Sequence, residues 1–539
     1  MSADPAGAVY FIGGGRSDTQ GVTPEVVGNK AFNLMRMDRA GLPVPPAFVI
    51  GTAACREYQR AGGHLPAGFG DLLGANIRQL ERATGRSFGG RRRPLLVSVR
   101  SGAPVSMPGM LDSVLNVGLN DVSVMGLVRA SGNPRLAWDS YRRLVESYAS
   151  VVHGCPLALF DAQVQRHLDP VLFPSPRELD AVTLRLLAQD ALQLVRAMPA
   201  ASFPQDPMAQ LMACVAAVFR SWDGARARTY RRMHGIDNAL GTAVTVQAMV
   251  LGNAGGTSGS GVGFTRDPAS GRNELYLDFL FNAQGEDVVS GRRTVSDGGR
   301  LQSLLPQLHA RLQRVKSLLE GEFGDLQDFE FTVQDGELFL LQTRDGKRTP
   351  WAALHVAVDM VDEGLIDVAT ALARLDALDL PAIERVYLDA ADTAQAIATA
   401  TPASLGVASG VLALDSDSAR RLSDGDRPVI LVREEIATDD IAGMAIARGI
   451  LTGRGGRTSH AAVVARQLDK VCLVGCAALR IDAQARRCRI GDTVLREGEW
   501  LSLDGNEGRV FAGRLEPIRE RPESLLRRIE AWRCDGAVD

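Results

Sequence analysis

The sequence predicts a multidomain protein of the α+β and α/β classes. Three observations predict it: a length of 539 residues, a long stretch of helical periodicity flanked by strand-rich segments, and a later segment where short strands alternate with a helix. At about 150 residues per domain, the length corresponds to three or four domain-sized units. The expected boundaries are a first domain over 1–380 with a helical insertion at about 134–235, a linker at 381–400, a second domain over 401–515, and a helix and tail at 516–539.

The elements follow in order. Gly41-Leu42-Pro43-Val44-Pro45-Pro46 reads as a rigid turn into a strand at Ala47–Ile50. Pro94–Arg100 reads as a buried strand leading into a Gly/Pro/Met loop at Ser101–Met110. Between 134 and 235, Leu184, Leu187, Ala188, Ala191, Leu194 and Val195 share one apolar stripe, and one turn signal, Phe173-Pro174-Ser175-Pro176, interrupts the helical pattern. Strands are expected at Ala243–Val250, Leu275–Phe281 and Phe329–Val333, with Glu337–Gln342 as the second arm of a hairpin across Gln334-Asp335-Gly336. Helix is expected over Trp351–Leu378. Strands then follow near Gly410–Leu414, Val429–Val432 and Gly449–Leu451, a helix from about Ser459, and an amphipathic helix over Glu523–Trp532.

Composition narrows the function. Apolar residues make up 45% and charged residues 23%, which is globular and excludes a disordered or fibrous chain. The net charge of -3 gives no general attraction to nucleic acid or anionic membrane. Lysine is confined to Lys30, Lys316, Lys347 and Lys470, so arginine carries nearly all the positive charge, a bias attributed to base composition. Seven cysteines, an odd and sparse set, fit a reducing cytosol better than a disulfide scaffold. Cys472 and Cys476 lack the second ligand pair of a zinc site and read as small buried apolar residues. Met1–Gly15 does not have the pattern of a signal peptide, and no apolar run reaches about 18 residues. A soluble cytoplasmic protein is expected.

Five constellations carry chemistry. In Gly453-Arg-Gly-Gly-Arg-Thr-Ser-His460-Ala-Ala-Val-Val-Ala-Arg466, a glycine-rich turn runs into Thr458 or Ser459 as helix cap and places His460 in the first turn, where N–H groups and the dipole favour an anion. A neutral imidazole there can attack phosphorus, with Arg454, Arg457 and Arg466 neutralising phosphoryl oxygens. A lone histidine at a helix start is usually incidental; this run is far more specific. Second, in Leu95–Asn120, Arg100 leaves a strand into a loop of small residues with free backbone donors, which reads as a phosphate clamp or, equally, as a turn with a surface arginine.

Third, Asp328 and Glu330 alternate onto one strand face, and Gln342 and Arg344 are expected to share a face of the next strand. Asp-x-Glu alone is usually a solvated face, but two carboxylates beside a phosphate site suit Mg2+. Fourth, Gly28-Asn29-Lys30-Ala31-Phe32-Asn33-Leu34 puts a lysine just inside a helix, where it can reach a phosphate, although taken alone an exposed lysine is the safer reading. Fifth, Asn282–Val289, with Asp278 upstream, and the glycine-rich Gly252–Asp267 form a further pair of segments; the latter, by itself, reads equally as a flexible hairpin.

The histidine run resembles the phosphohistidine segment of pyruvate phosphate dikinase, phosphoenolpyruvate synthase and enzyme I of the sugar phosphotransferase system. Patches from about Gly28 to Leu515 resemble pyruvate phosphate dikinase. Asp278 departs from that pattern, where glutamate is expected. The resemblance implies an ATP-grasp nucleotide-binding domain with a helical insertion, followed by a swivelling β/β/α phosphohistidine domain. It implies His460 as phosphoryl carrier supported by Arg457, Thr458 and Ser459. Lys30, Arg100, Gln342 and Arg344 would bind ATP and its phosphates, and Asp328 and Glu330 would hold Mg2+. Arg457 stands where the dikinase typically has methionine and the synthase and enzyme I have arginine, so this position does not decide the subfamily. Thr458 matches a threonine regulated by phosphorylation in some dikinases, but its capping role explains it equally, and no regulatory function is assigned. The family's C-terminal TIM barrel, about 250 residues, is expected to be missing after Leu515. The implied chemistry transfers the β-phosphoryl of ATP to His460 with release of AMP, inorganic phosphate or water taking the γ-phosphoryl. The acceptor is then pyruvate on a separate barrel subunit or another small molecule, as in rifampicin phosphotransferase. The contrasting reading is a non-catalytic nucleotide-binding regulator.

Overall fold

A computed structural model describes residues 9–15, 17, 21–105, 107, 110–168, 176, 178–199, 201–289, 296–388, 395–424, 427–436, 440–455, 460–468 and 470–535. The chain divides into two compact units, Met1–Gly259 with Phe329–Arg344, and Ser260–Asp328 with Asp345–Asp539.

The first unit holds a five-stranded sheet and a series of helices. The elements that bear on the site and the core are, in chain order, β1 (Val9–Ile12), α1 (Asn29–Arg39), β2 (Ala47–Ile50), β3 (Val97–Gly102), β4 (Ser113–Val117), α2 (Pro134–His153), α3 (Leu157–Gln165), α4 (Ala181–Ala197), α5 (Pro207–Ser221), α6 (Ala225–Met233) and β5 (Ala243–Ala248). The sheet order is β1-β2-β5-β3-β4, antiparallel throughout, with Arg100 opposite Thr245 and Ser113. Local chemistry sets the helix ends. The Asn133 side chain accepts from the N–H of Leu136, Pro134 fills the first helical position, and Gly154 closes α2 in the left-handed region. Asp180 and Asp206 cap α4 and α5 in the same way.

The helical segment is part of the core of this unit. Leu136, Tyr141, Leu144 and Tyr148 of α2 and Leu211, Val215 and Phe219 of α5 are buried in one cluster with Phe48, Val97, Val99, Val117 and Val246 of the sheet. Each such side chain contributes about 1.5–3 kcal/mol by leaving water. The predicted turn lies largely outside the described residues, Phe173, Pro174 and Ser175 among them, and the segment breaks at Gly154–Pro156, between Ala197 and Pro207, and at Trp222–Gly224. Those breaks use a left-handed glycine and aspartate caps inside an otherwise continuous apolar pattern, which periodicity alone does not resolve.

The chain continues through β6 (Gly259–Phe264), β7 (Tyr276–Phe281) and α7 (Pro306–Phe323) to the hairpin β8 (Gln327–Gln334) and β9 (Glu337–Asp345). Asp335 and Gly336 both have positive φ, 52° and 82°, as a two-residue hairpin turn of the Asp-Gly type requires. The helical stretch after Trp351 is two helices, α8 (Pro350–Asp362) and α9 (Val368–Leu375), parted at Gly364 with φ 71°.

The second unit then passes β10 (Arg385–Leu388), β11 (Ala398–Thr399), β12 (Thr401–Ser404), β13 (Val407–Ala413), β14 (Val429–Arg433), β15 (Gly449–Thr452), α10 (His460–Gln467), β16 (Val471–Val474), β17 (Trp500–Asp504), β18 (Arg509–Ala512), β19 (Pro517–Glu520) and α11 (Glu523–Asp535). An eight-stranded sheet runs β11-β18-β17-β13-β14-β15-β16-β12, and its central strands β13, β14, β15 and β16 are parallel. Cys472 and Cys476 are fully buried free thiols. The segment after Leu515 folds back. β19 pairs antiparallel with β10 in the register Arg385↔Glu520 to Leu388↔Pro517, so part of the expected linker is strand. Leu526 and Ile529 of α11 join Leu354, Val358 and Leu375 of α8 and α9 in one core.

Candidate active site

Three elements of the first unit converge. α1 begins at Asn29 directly after Gly28, whose φ is 77°. A Cβ on Gly28 would lie 2.0 Å from the carbonyl oxygen of Gly102. Only glycine therefore allows the start of α1 to lie against the end of β3. The N–H of Asn29 donates to the carbonyl of Ala103 at 3.0 Å, fixing that contact. One residue on stands Lys30; two residues before Gly102, on β3, stands Arg100.

The hairpin completes the group. The buried Asn33 side chain donates from Nδ2 to the carbonyl of Thr343 at 3.0 Å, which ties α1 to β9 beside Gln342 and Arg344. Arg100 reaches the Glu330 carboxylate at 3.6 Å, both side chains partly exposed. Burial and the Arg100 guanidinium depress the Lys30 ammonium to about 8; Glu330 opposes that shift and Arg344 adds to it. Lys30 thus lies within electrostatic reach of two further cations and one carboxylate, a group with surplus positive potential suited to a polyanion. Strand alternation places Asp328 on the face of Glu330, each half-buried between buried neighbours. On β9 that alternation breaks: Gln342 and Thr343 are buried in succession while Arg344 is exposed.

Among the described residues no group of three or more His, Cys, Asp or Glu side chains gathers as a metal cluster. Two carboxylates on one strand face are a donor set that Mg2+ takes when phosphate oxygens supply the remaining ligands, so Asp328 and Glu330 fit that ion. Two residues to which the sequence assigned no role join the site. Asn33 positions the Lys30 helix. Thr245, the register partner of Arg100, is buried with a hydroxyl that has no hydrogen-bond partner. Its only sequence signal was its place on an apolar strand.

The second group lies in the second unit. Arg457, Thr458 and Ser459 fall outside the described residues, as does the side chain of His460. The backbone starts α10 at His460, beyond the carboxyl end of the parallel strand β15. That is where α/β sheets present ligands. The approach is anchored: Gly453 and Arg454 donate their N–H groups to the carbonyls of Arg433 and Glu434, and the Thr452 hydroxyl donates to the carbonyl of Arg454. The Glu434 carboxylate fills the space that a side chain at 453 would need, an acidic neighbour the sequence reading did not single out. Ala461, Ala462, Val464 and Ala465 seat the helix in the core against the sheet.

The first unit thus holds a cationic group beside a carboxylate strand, and the second unit an α/β module in which a helix starts at His460. Residues 65–300 match the family "pyruvate phosphate dikinase, AMP/ATP-binding domain", and residues 425–508 match "PEP-utilising enzyme, mobile domain". The chain is homologous to pyruvate, phosphate dikinases over nearly its whole length. It is 42% identical to that of Rhizobium meliloti across 97% of this chain and 60% of the relative. It is also 42% identical to that of Clostridium symbiosum, across 94% and 58%, and 44% identical to pyruvate, phosphate dikinase 2 of Oryza sativa subsp. japonica, across 94% and 57%. The chain therefore spans less than two thirds of the length of these relatives. No helix among the described residues is long and apolar enough to cross a membrane.

Proposed function

We propose that this chain is an ATP-dependent phosphotransferase that performs the nucleotide half-reaction of a pyruvate, phosphate dikinase. The observation that carries the reading is the grouping of Lys30 with Arg100, Glu330 and Arg344, Arg100 pairing with Glu330. In this reading residues 1–380 are an ATP-grasp domain and 401–515 a swivelling phosphohistidine domain. Lys30, Arg100, Gln342 and Arg344 bind the phosphates, and Asp328 and Glu330 hold Mg2+, which supplies charge neutralisation when bound. The protein's share of catalysis is positioning and neutralisation of the developing charge. An imidazole nitrogen of His460 bonds to the β-phosphorus as the bond to the AMP oxygen breaks. The γ-phosphoryl passes to inorganic phosphate or water. Arg457, Thr458 and Ser459 support the charged phosphoimidazole, which then delivers its phosphoryl to pyruvate or another small acceptor. Homology to single-chain enzymes favours pyruvate as that acceptor.

The test is incubation with Mg2+ and β-32P-ATP, with and without phosphate, comparing wild type with His460→Ala. Acid-labile, base-stable label on wild type alone is expected. Dependence on phosphate separates the dikinase route from the water route. Absence of label on wild type under both conditions rejects the proposal.

A further inference from the structure

Away from both groups, the second unit contains a cavity of about 260 Å3. Its walls are Ala353, Val356 and Ala357 of α8, Leu375 of α9, and Leu378. Its polar end is formed by Asp325, Arg348 and Arg374. Gly346 closes one side, where a side chain would collide with Leu326.

The charges at the polar end do not balance. Asp325 is spent: its carboxylate accepts from the N–H of Leu326 at 2.7 Å and takes Arg348 in bidentate fashion, with Nη2 at 2.8 Å from Oδ2. Arg374 approaches the same carboxylate only at 3.5 Å. It donates from Nη1 to the carbonyl of Gly324 at 2.7 Å, and its Nε and Nη2 groups have no hydrogen-bond partner among the described residues. Two guanidinium groups thus share one carboxylate in the lining of a small cavity. The Arg348 and Arg374 side chains are 16% and 28% exposed, so their charges are only partly screened by water.

We propose that this cavity binds a small organic anion, its carboxylate or phosphate on Arg374 and Arg348 and its short apolar body against Val356, Ala357 and Leu375. The volume is below the usual range for larger ligands, which limits the occupant to a compact metabolite. The site stands at the foot of β8, three residues before Asp328, and shares no residue with the nucleotide group.

The experiment uses the whole chain and two probes, butyrate and n-butyl phosphate, titrated by calorimetry at constant ionic strength with chloride as control. Saturable binding of at least one probe is expected, and the one that binds identifies the preferred head group. Lys30→Gln, which impairs the nucleotide site, leaves it unchanged. Arg374→Gln weakens it about tenfold or more, as loss of a charged hydrogen bond implies. Ala353→Leu, which fills the chamber and keeps both arginines, abolishes it, with circular dichroism and a thermal melt confirming the fold of each variant. Binding no stronger than that of chloride overturns the proposal. So does binding that disappears with Lys30→Gln, or that survives both cavity substitutions.

Discussion

Lys30 loses most of its hydration beside Arg100, so its proton is held weakly, at about 8 against an ordinary 10.5. The folded value lies below the unfolded one, so between these limits the folded chain binds fewer protons. The cost of keeping Lys30 charged is fully present below about pH 8 and fades as pH rises toward 10.5. A bound phosphate reverses the preference, because it needs the ammonium form. The affinity for Mg-ATP is therefore expected to fall above about pH 8, by up to about tenfold per unit, while Lys30→Arg gives a flatter profile. Titration calorimetry between pH 7 and 9.5 reads both. Lys30, Arg100 and Glu330 were legible because each stands in a short local pattern: a glycine before a helix, a strand end, an alternating carboxylate pair. Asn33 was not, because its meaning lies in a carbonyl 310 residues away.

At the scale of elements, the nucleotide group depends on how closely α1 can approach β3. Gly28→Ala introduces a methyl group into the Gly102 carbonyl and forces a left-handed φ on alanine. The backbone term alone costs about 1–3 kcal/mol. A lower urea midpoint and weaker ATP binding together are the expected outcome, because the same movement displaces Lys30. Element types were legible where turn chemistry is explicit, as with Asp335-Gly336 between two alternating strands. They were less so in 134–235, where the breaks between α2 and α6 interrupt a chain that stays apolar on both sides. The identity of an element also did not reveal its partner: the pattern of Glu523–Trp532 announces an amphipathic helix, but not that its apolar side covers α8 and α9.

At the scale of the molecule, the chain after Leu515 is structural for what precedes it. Ile529 is fully buried in the core shared with α8 and α9. Ile529→Ala is expected to cost about 2–5 kcal/mol, read as a drop in the urea midpoint, while leaving the β-32P labelling of folded protein unchanged. The pairing of β10 with β19 has a further consequence. Leu388 stands opposite Pro517, so the two residues that flank the segment 389–516 lie side by side, and Asn506 within it donates to the carbonyl of Val386. A segment with adjoining ends behaves as a cassette. It can be excised by bridging that point with a short turn, circularly permuted by joining its own ends, or spliced into a hairpin of an unrelated host without stretching either partner.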